Sequence, residues 1–333
     1  MTPPSPRAWV IGVCLLLLTG LLALIGLSVG SSGFESLTVI FSHNLDPINH
    51  QIIWDIRAPR TLGAWLAGAL LGLAGAVAQG LFRNPLADPF LLGSASGASL
   101  GVAVALALFG ISPFATQWVV RLGLTGAAFL GAVAAVFLTL ALARGVQHTL
   151  RLLLAGVVVG VVLGAMSSLI ALMFPVILPA MQSFMLGSTS FVGWGACAVM
   201  GSVWLLGLLL AWLLARVLDG LALGEETALS LGLPLGTMRL VLVAVIALAT
   251  GTAVAQTGLI AFVGLAAPHV VRSLVATAHG KLVVLSGLTG GVLLLFADNL
   301  ARSLIAPQEL PVGVLTAMLG GCYLLWLMRS RSL

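Results

Sequence analysis

The sequence has 333 residues, of which 60% are apolar and only 7% are charged, and its mean hydropathy is +1.20. About a quarter of the residues of a soluble globular domain are charged, so this composition excludes that class and indicates a protein that crosses a membrane several times. The formal net charge of +5 comes from 14 Lys and Arg against 9 Asp and Glu, and because the basic residues do not cluster, we expect contact with anionic lipid headgroups and not with nucleic acid.

Apolar stretches of about 20 residues, the length that a membrane-crossing helix needs, recur along the whole chain. They predict ten spans, near residues 8–29, 61–81, 90–109, 118–142, 150–173, 192–217, 238–255, 259–277, 282–300 and 312–328. The eighth is the weakest, because Pro268, His269 and Arg272 interrupt it. The first exceeds the about 7 to 15 apolar residues of a signal-peptide core, so we expect it to be retained. The sequence thus predicts one all-α polytopic membrane domain over residues 1–333.

The positions of the basic residues predict how these spans are oriented. Lys and Arg concentrate in cytoplasmic loops, and placing both termini in the cytoplasm puts ten of the fourteen on that side. The four exceptions on the outer side are Arg57, Arg60, Arg121 and Arg302. An outer position for an arginine runs against the usual bias, so these residues need a separate explanation.

The sequence carries no recognisable catalytic, metal or ion-relay site. Cys14, Cys197 and Cys322 lie far apart in apolar stretches, which argues against a disulfide framework or a metal site. The only lysine, Lys281, is not part of a phosphate-binding Walker loop, and residues 93–97 (GSASG) have alanine where a serine nucleophile would stand. Spans one to seven have no charged residue in their central turns, so an ion-driven carrier is hard to build. We therefore expect neither an ATPase nor another enzyme.

Glycines at four-residue spacing mark one face of two predicted spans. Gly68 and Gly72 lie in the second span, and Gly156, Gly160 and Gly164 lie in the fifth. Small residues let membrane helices approach closely, so we expect helix packing within the chain at the second span. For the fifth span two interpretations stay open, namely packing and a smooth pathway wall past which a bulky solute slides.

Two connections between the predicted spans carry structure of their own. The inner loop 218–237 has the pattern of two short helices broken at Gly224 and at residues 232–234, and a structured inner loop indicates a cytoplasmic partner. The outer connection 174–191 is apolar enough to hold a short helix on the membrane surface.

A run of motifs gives the chain a family resemblance. Residues 67–98 (AGALLGLAGAVAQGLFRNPLADPFLLGSASGA) resemble the signature segment of the permease subunits of ABC importers for ferric siderophores, haem and cobalamin. Further motifs of these permeases are RAPR at 57–60, LLLAGV at 152–157, LALGEETALSLGL at 221–233, GLIAFVGLAAPHVVR at 258–272, LLLFADNLAR at 293–302 and ELPVGVLTAMLGG at 309–321. The resemblance covers nearly the whole chain. It implies the type II importer permease fold, with ten transmembrane helices per subunit.

The resemblance also implies the partners. A second copy of the chain would complete the pathway in the cytoplasmic (inner) membrane, and two cytoplasmic ABC ATPase subunits would bind ATP and Mg, so this chain would need no cofactor. A periplasmic or lipid-anchored substrate-binding protein would deliver the solute. The implied function is alternating-access import of a bulky iron chelate, haem or ferric siderophore, or of cobalamin, and the sequence does not select among them.

Specific residues take roles from the same resemblance. It assigns Arg57, Arg60 and Arg302 to docking of the binding protein, although packing of these arginines against Asp55 or Asp298 stays open. The residues expected to couple the permease to the ATPase are Gly224, Glu225, Glu226, Ala228, Leu231 and Gly232. The two glutamates among them could instead be solvated helix caps.

The predicted cytoplasmic gate consists of Gln147, His148 and Thr149. Two other classes of protein stay open beside the importer permease, namely an ion-coupled secondary transporter and a structural or assembly protein of the membrane.

Overall fold

The computed structural model describes residues 6–30, 33–34, 47–109, 118–143, 149–230, 232 and 234–330. These residues form fourteen α-helices, which are α1 (Pro6–Ser28), α2 (Pro47–Gln51), α3 (Ala58–Leu81), α4 (Ser94–Phe109), α5 (Trp118–Leu142), α6 (Thr149–Met173), α7 (Leu178–Leu186), α8 (Trp194–Leu213), α9 (Ala215–Ala222), α10 (Glu225–Ser230), α11 (Leu235–Thr257), α12 (Val263–Leu274), α13 (His279–Ser303) and α14 (Val312–Ser330). A π-helical segment, Ile52–Arg57, joins α2 to α3, and two-residue strands β1 (Val29–Gly30) and β2 (Gly33–Phe34) pair antiparallel. The predicted helical fold class is confirmed.

Seven helical segments of the described chain are long and apolar enough to cross a membrane. They correspond to predicted spans one, two, four, five, six, seven and nine. The third corresponds to α4, with 16 residues, and the tenth to α14, with 19. The eighth gives only the 12 residues of α12, about 18 Å of helix at 1.5 Å per residue, where the hydrocarbon core measures about 30 Å. Judged by helix length, the described residues therefore give seven full-length spans, and the predicted ten are not confirmed.

Helix α3 lies at the centre of the molecule and packs against α8, α11, α12 and α13. Nearly all of its residues are buried, whereas α1, α6 and α8 expose most of theirs. A second group, α4, α5 and α6, packs together and meets the first group mainly where α5 contacts α11. The start of α3 lies beside the end of α13, so these two helices run antiparallel. We call α3, α11, α12 and α13 the central group, and α4, α5 and α6 the second group.

Glycines bring the backbones of the central group into direct contact. A methyl group on Gly68 would overlap the carbonyl oxygen of Gly290, and one on Gly72 would overlap that of Ser286. Gly75 approaches Gly264 of α12 in the same way. The prediction that the glycine face of the second span packs within the chain is therefore confirmed.

The turn between α3 and α4 is closed by its own side chains. Asn84 accepts a hydrogen bond from the backbone N–H of Leu86 at 2.9 Å, and Asp88 accepts one from that of Phe90 at 2.8 Å. Because Pro85 and Pro89 cannot donate backbone hydrogen bonds, the side chains of Asn84 and Asp88 stabilise this turn. The short outer helix expected within 174–191 is also present, as α7.

Replacing Gly68 by alanine should destabilise the protein by about 1 to 3 kcal/mol, because the added methyl group forces α3 away from α13. The measurement is the free energy of unfolding of the purified protein in an SDS titration. Gly20→Ala in α1 is the matched control, since a methyl group there meets no atom within 4 Å. Equal stability of the two variants would contradict the packing argument.

Candidate functional site at the two ends of the helix bundle

A buried ion-pair network joins α3 and α13 at the end of the molecule that the sequence places outside. Asp298 is fully buried, and its Oδ1 accepts hydrogen bonds from Arg60 Nη2 at 3.1 Å and from the hydroxyl of Thr189. Its Oδ2 lies 2.7 Å from Arg302 Nη2. Glu309 completes the network with both carboxylate oxygens at 2.9–3.0 Å from Arg60 Nη1. Two cations and two anions therefore balance, which reduces the cost of burying them.

The same network ties α1 to the centre of the molecule. Arg302 Nη1 donates to the carbonyl oxygen of Gly26 at 2.9 Å, and Arg302 Nη2 donates to Asn299 Oδ1 at 2.8 Å. Asn299 in turn donates to the carbonyl oxygen of Leu22 at 2.9 Å. Gly26 is among the last four residues of α1, whose carbonyl groups have no partner within the helix, so the bond from Arg302 supplies one at Gly26.

Arg57 occupies a similar position, one helical turn before Arg60. Its Nη1 donates to the carbonyl oxygen of Leu27 at 3.1 Å, and its guanidinium group packs directly on the backbone of Gly30. Only 4% of Arg57 is exposed, compared with 7% of Arg60 and 1% of Arg302. The structure thus brings the three predicted docking arginines to one end of the molecule and engages all three inside it. The alternative that they pack against Asp298 is observed for Arg60 and Arg302, and their docking role stays a prediction.

Three members of the network were not identified from the sequence. In the sequence, Glu309 is part of a family motif but has no assigned role, and Thr189 and Ser190 belong to no motif. In the structure, Ser190 donates a hydrogen bond to Glu309 Oε2 at 3.0 Å. Glu309 lies 249 positions from Arg60 and Thr189 lies 109 positions from Asp298, so spacing carries no signal for these pairs. The spacing of Asp298 and Arg302 is different, because residues four apart on a helix face each other.

The predicted coupling loop lies at the opposite end and forms two helices, α9 and α10. They are separated at Gly224, whose positive φ of +115° is one that glycine adopts readily. Gly232, which follows α10, also has a positive φ, of +74°. Ala228 is buried and Glu226 is exposed, while Leu231 lies outside the described residues. The break at Gly224 confirms the predicted division of the loop.

Two polar contacts fix this loop to the central group. Glu225 Oε1 accepts from Arg239 Nη1 of α11 at 2.8 Å, and the Arg239 side chain is only 3% exposed. Asp219 Oδ1 lies 2.7 Å from His279 Nδ1 and accepts the backbone N–H of His279, at the start of α13, at 3.0 Å. Glu225 is thus engaged by an arginine and is not merely solvated, and neither partner was foreseen from the sequence.

The coupling loop also exposes apolar side chains. Leu223, before α10, is 70% exposed, and Leu229, in the last turn of α10, is 56% exposed. These two leucines are apolar surface of the loop that is available for burial against a partner.

The glycines of the predicted pathway wall differ in their surroundings. Gly156 contacts the backbone of Leu91 so closely that a methyl group would overlap it. At Gly160 and Gly164 the nearest atom to such a methyl group is Ser96 Oγ, at 3.7 Å and 3.8 Å. Gly156 therefore packs against the turn before α4, while Gly160 and Gly164 lie at ordinary van der Waals distance from Ser96 of α4. Of the predicted gate, Gln147 and His148 lie outside the described residues and Thr149 begins α6.

The FecCD transport family matches residues 15–330. The chain belongs to this family. Members of the FecCD family are permease subunits of ABC importers, which are transporters and not enzymes. The absence of an ATPase motif and of a catalytic constellation in the sequence agrees with this membership.

Two relatives and one solved structure are similar to this chain over most of its length. The vitamin B12 import system permease protein BtuC of Pectobacterium atrosepticum is 40% identical over 261 residues, 77% of this chain and 76% of BtuC. The hemin transport system permease protein HmuU of Yersinia pestis is 37% identical over 322 residues, 94% of this chain and 95% of HmuU. A solved structure of a metal-chelate type ABC transporter in an inward-facing conformation superimposes with a TM-score of 0.84 at 29% identity, covering 96% of this chain and 98% of that one.

Replacing Asp298 by asparagine should cost about 3 to 5 kcal/mol of stability, because it leaves Arg60 and Arg302 with a surplus of buried positive charge. The free energy of unfolding in detergent measures this effect. Asp55→Asn is the control, since Asp55 is an exposed carboxylate at the same end and its loss should change stability by less than about 0.5 kcal/mol. A small effect of Asp298→Asn would mean that the network does not hold α3, α13 and α1 together.

Proposed function

We propose that the chain is the membrane-spanning permease of an ATP-driven importer that takes a bulky iron chelate, haem or ferric siderophore, or cobalamin from a soluble binding protein. The observation that carries the proposal is the construction of the coupling loop. Its helices are held to α11 and α13 by Glu225–Arg239 and Asp219–His279, yet they present exposed leucines. A force applied to this surface would therefore be passed to the central group.

Two cytoplasmic ATPase subunits fit this surface. The loop offers exposed Leu223 and Leu229 for burial, and exposed Glu226 at the start of α10 for polar contact. Membership in a family of ABC importer permeases supports this partner. ATP and Mg would be bound by the ATPase, and this chain would transmit its closure by rocking the spans between outward and inward openings.

A second copy of the chain fits the exposed face of α6. This helix exposes large apolar side chains along its whole length, namely Leu154, Val157, Val158, Val161, Val162, Met166, Leu169, Leu172 and Met173. Two copies facing each other would enclose a pathway with walls formed by such side chains and by Gly160 and Gly164. We also propose a ten-span topology in the cytoplasmic membrane, which membership in the family supports. The positions of the basic residues support the placement of both termini in the cytoplasm.

The chemistry of the wall bears on the substrate. Walls of valine, leucine and glycine offer few hydrogen bonds, so a large solute would bind them weakly and would not be trapped. Selectivity would then reside in the binding protein. Relatives named for hemin and for vitamin B12, and a structural neighbour named for metal chelates, support a bulky chelate. We favour an iron compound, with haem as a leading candidate, and the cytoplasmic gate around residues 147–149 remains part of the proposal.

The importer proposal predicts that proteoliposomes containing the chain, its ATPase and its binding protein take up the chelate only when ATP is present. Replacing Arg239 by glutamine should release Glu225 and reduce uptake at least about tenfold while ATP hydrolysis continues, since the loop would no longer pull on α11. The measurement is chelate taken up per ATP hydrolysed.

Arg216→Gln is the control for that variant, because Arg216 is an exposed basic residue of α9. It should leave the uptake per ATP unchanged. Uptake against a gradient by the chain alone, without any nucleotide, would refute the importer and support an ion-coupled transporter. Absence of ATPase stimulation would instead support a structural role.

Docking of the binding protein by the outer arginines can be tested through Glu309. Glu309 is 26% exposed in its side chain and occupies Arg60 Nη1, so it competes with any carboxylate that a partner brings to Arg60. Glu309→Gln should strengthen docking by about fivefold, equivalent to about 1 kcal/mol for a partly exposed ion pair. The measurement is the Kd of the binding protein for the permease in nanodiscs.

Asp55→Asn removes the same charge at the same end and controls for long-range attraction. If Asp55→Asn strengthens docking as much as Glu309→Gln does, Arg60 makes no direct contact with the binding protein. Its role would then be confined to the buried network.

A further inference from the structure

A groove of about 300 Å³ lies on the surface of the helix bundle between α1, α8 and α13. It lies at the same end as the coupling loop, because its lining includes Gly280 and Lys281 from the first turn of α13. The remaining lining is almost entirely apolar, and its main members are Trp9, Gly12, Leu16, Trp212 and Leu285. The importer mechanism proposed above makes no use of this groove.

Two glycines give the groove its depth. The nearest atom to a methyl group on Gly12 would be Leu285 Cδ2, at 3.6 Å, and the nearest to one on Gly280 would be Ala215 Cβ, also at 3.6 Å. Neither glycine is needed for a close backbone contact, in contrast to Gly68 and Gly72. The groove is therefore an open channel between helices with a floor of leucine and valine side chains, a surface that suits a hydrocarbon chain.

Charge and aromatic residues lie where a lipid headgroup would. Lys281 is the only lysine of the chain and is half-buried, and among the residues that the structure describes it is the only charged one that lines the groove. Trp9 and Trp212 are 70% and 56% exposed, and tryptophan is enriched at the boundary between hydrocarbon and headgroups. Arg7, which precedes the lining residue Ala8, is also exposed. Positive charge at the end of an apolar groove is complementary to a phosphate attached to an acyl chain.

We propose that this groove binds one anionic phospholipid of the membrane, with an acyl chain against Gly12, Leu16 and Leu285 and the phosphate at Lys281. The proposal rests on the membrane placement given above, in which the start of α13 faces the cytoplasm. Anionic lipids are attracted to basic residues on that side. The negative headgroup distinguishes this occupant from neutral lipid and from a protein helix, neither of which would require the lysine.

Because the groove lies beside the coupling loop, a bound lipid would affect the position of that loop. Gly280 lies against Ala215 and Trp212, and its neighbour His279 is bonded to Asp219 of α9. A lipid in the groove would contact α8 and α13 at the point where α9 is fixed to the bundle. Bound lipid would thus hold the base of the coupling loop in place.

The test is native mass spectrometry of the full chain, purified in neutral detergent and titrated with phosphatidylglycerol or phosphatidylcholine. We expect phosphatidylglycerol to be retained more tightly. Lys281→Gln should weaken it about fivefold, the effect of one basic residue at an anionic surface, and should leave phosphatidylcholine unchanged. Gly12→Phe, which keeps the charge but fills the groove, should abolish retention of both lipids.

Two control variants separate the groove from general effects. Arg329→Gln removes an exposed charge in the last turn of α14, away from the groove lining, and Gly20→Phe adds the same bulk to α1 at a position with open space. Both should bind lipid as the unmodified chain does, and melting temperatures confirm that all variants are folded. The proposal is overturned if no lipid is retained, if the two lipids bind equally, if Lys281→Gln leaves phosphatidylglycerol binding unchanged, or if phosphatidylglycerol binding survives Gly12→Phe. Because the measurement needs no ATPase or binding protein, its outcome is independent of the importer proposal.

Discussion

Backbone contact at glycine is the interaction on which the arrangement of the helices depends. Lipid tails are as apolar as leucine, so membrane helices gain little by burying leucine against each other, and close van der Waals contact must supply the attraction. Gly68 and Gly72 give α3 this contact with α13, and Gly75 gives it with α12. Because this contact also fixes α3 antiparallel to α13, Arg60 at one helix start meets Asp298 at the other helix end. The outer network is thus a consequence of the glycine contacts.

Charged side chains are confined to the two ends of this arrangement. Burying an ion in hydrocarbon is costly unless partners compensate it, and the structure satisfies this condition twice. At the outer end Asp298 and Glu309 balance Arg60 and Arg302, and at the inner end Glu225 neutralises the buried Arg239. The stretch between the ends consists mainly of glycine, alanine and aliphatic residues, with a few buried serines and threonines such as Thr250 and Ser286. A solute passing through such a region, as we propose, would find few fixed polar partners, and its recognition would then fall to another protein.

The sequence predicts the helices better than the contacts between their side chains. The prediction for 118–142 coincides with α5, because length and hydropathy alone define an uninterrupted apolar helix. The prediction for 259–277 overshoots α12, since hydropathy cannot reveal that Phe262 adopts a left-handed φ of +68° and delays the helix start. The arginines were found because they break the positive-inside pattern. Glu309 and Arg239 follow no such pattern, and only the folded chain brings them to their partners.

The distribution of the glycine contacts divides the helices into two groups, each joined internally by backbone contact. Gly97 and Gly131 bring the backbones of α4 and α5 together, just as Gly68 and Gly290 do for α3 and α13. Between the two groups the contact is looser, because the neighbours of Gly251 in α11 are side-chain atoms of α5 at 3.4 Å or more. Side chains can change rotamer and slide, whereas interlocked backbones must move together. The coupling loop is bonded to α11 and α13 of the central group, while α6 belongs to the second group. A pull on the loop would therefore shift one group past the other and change the space beside α6.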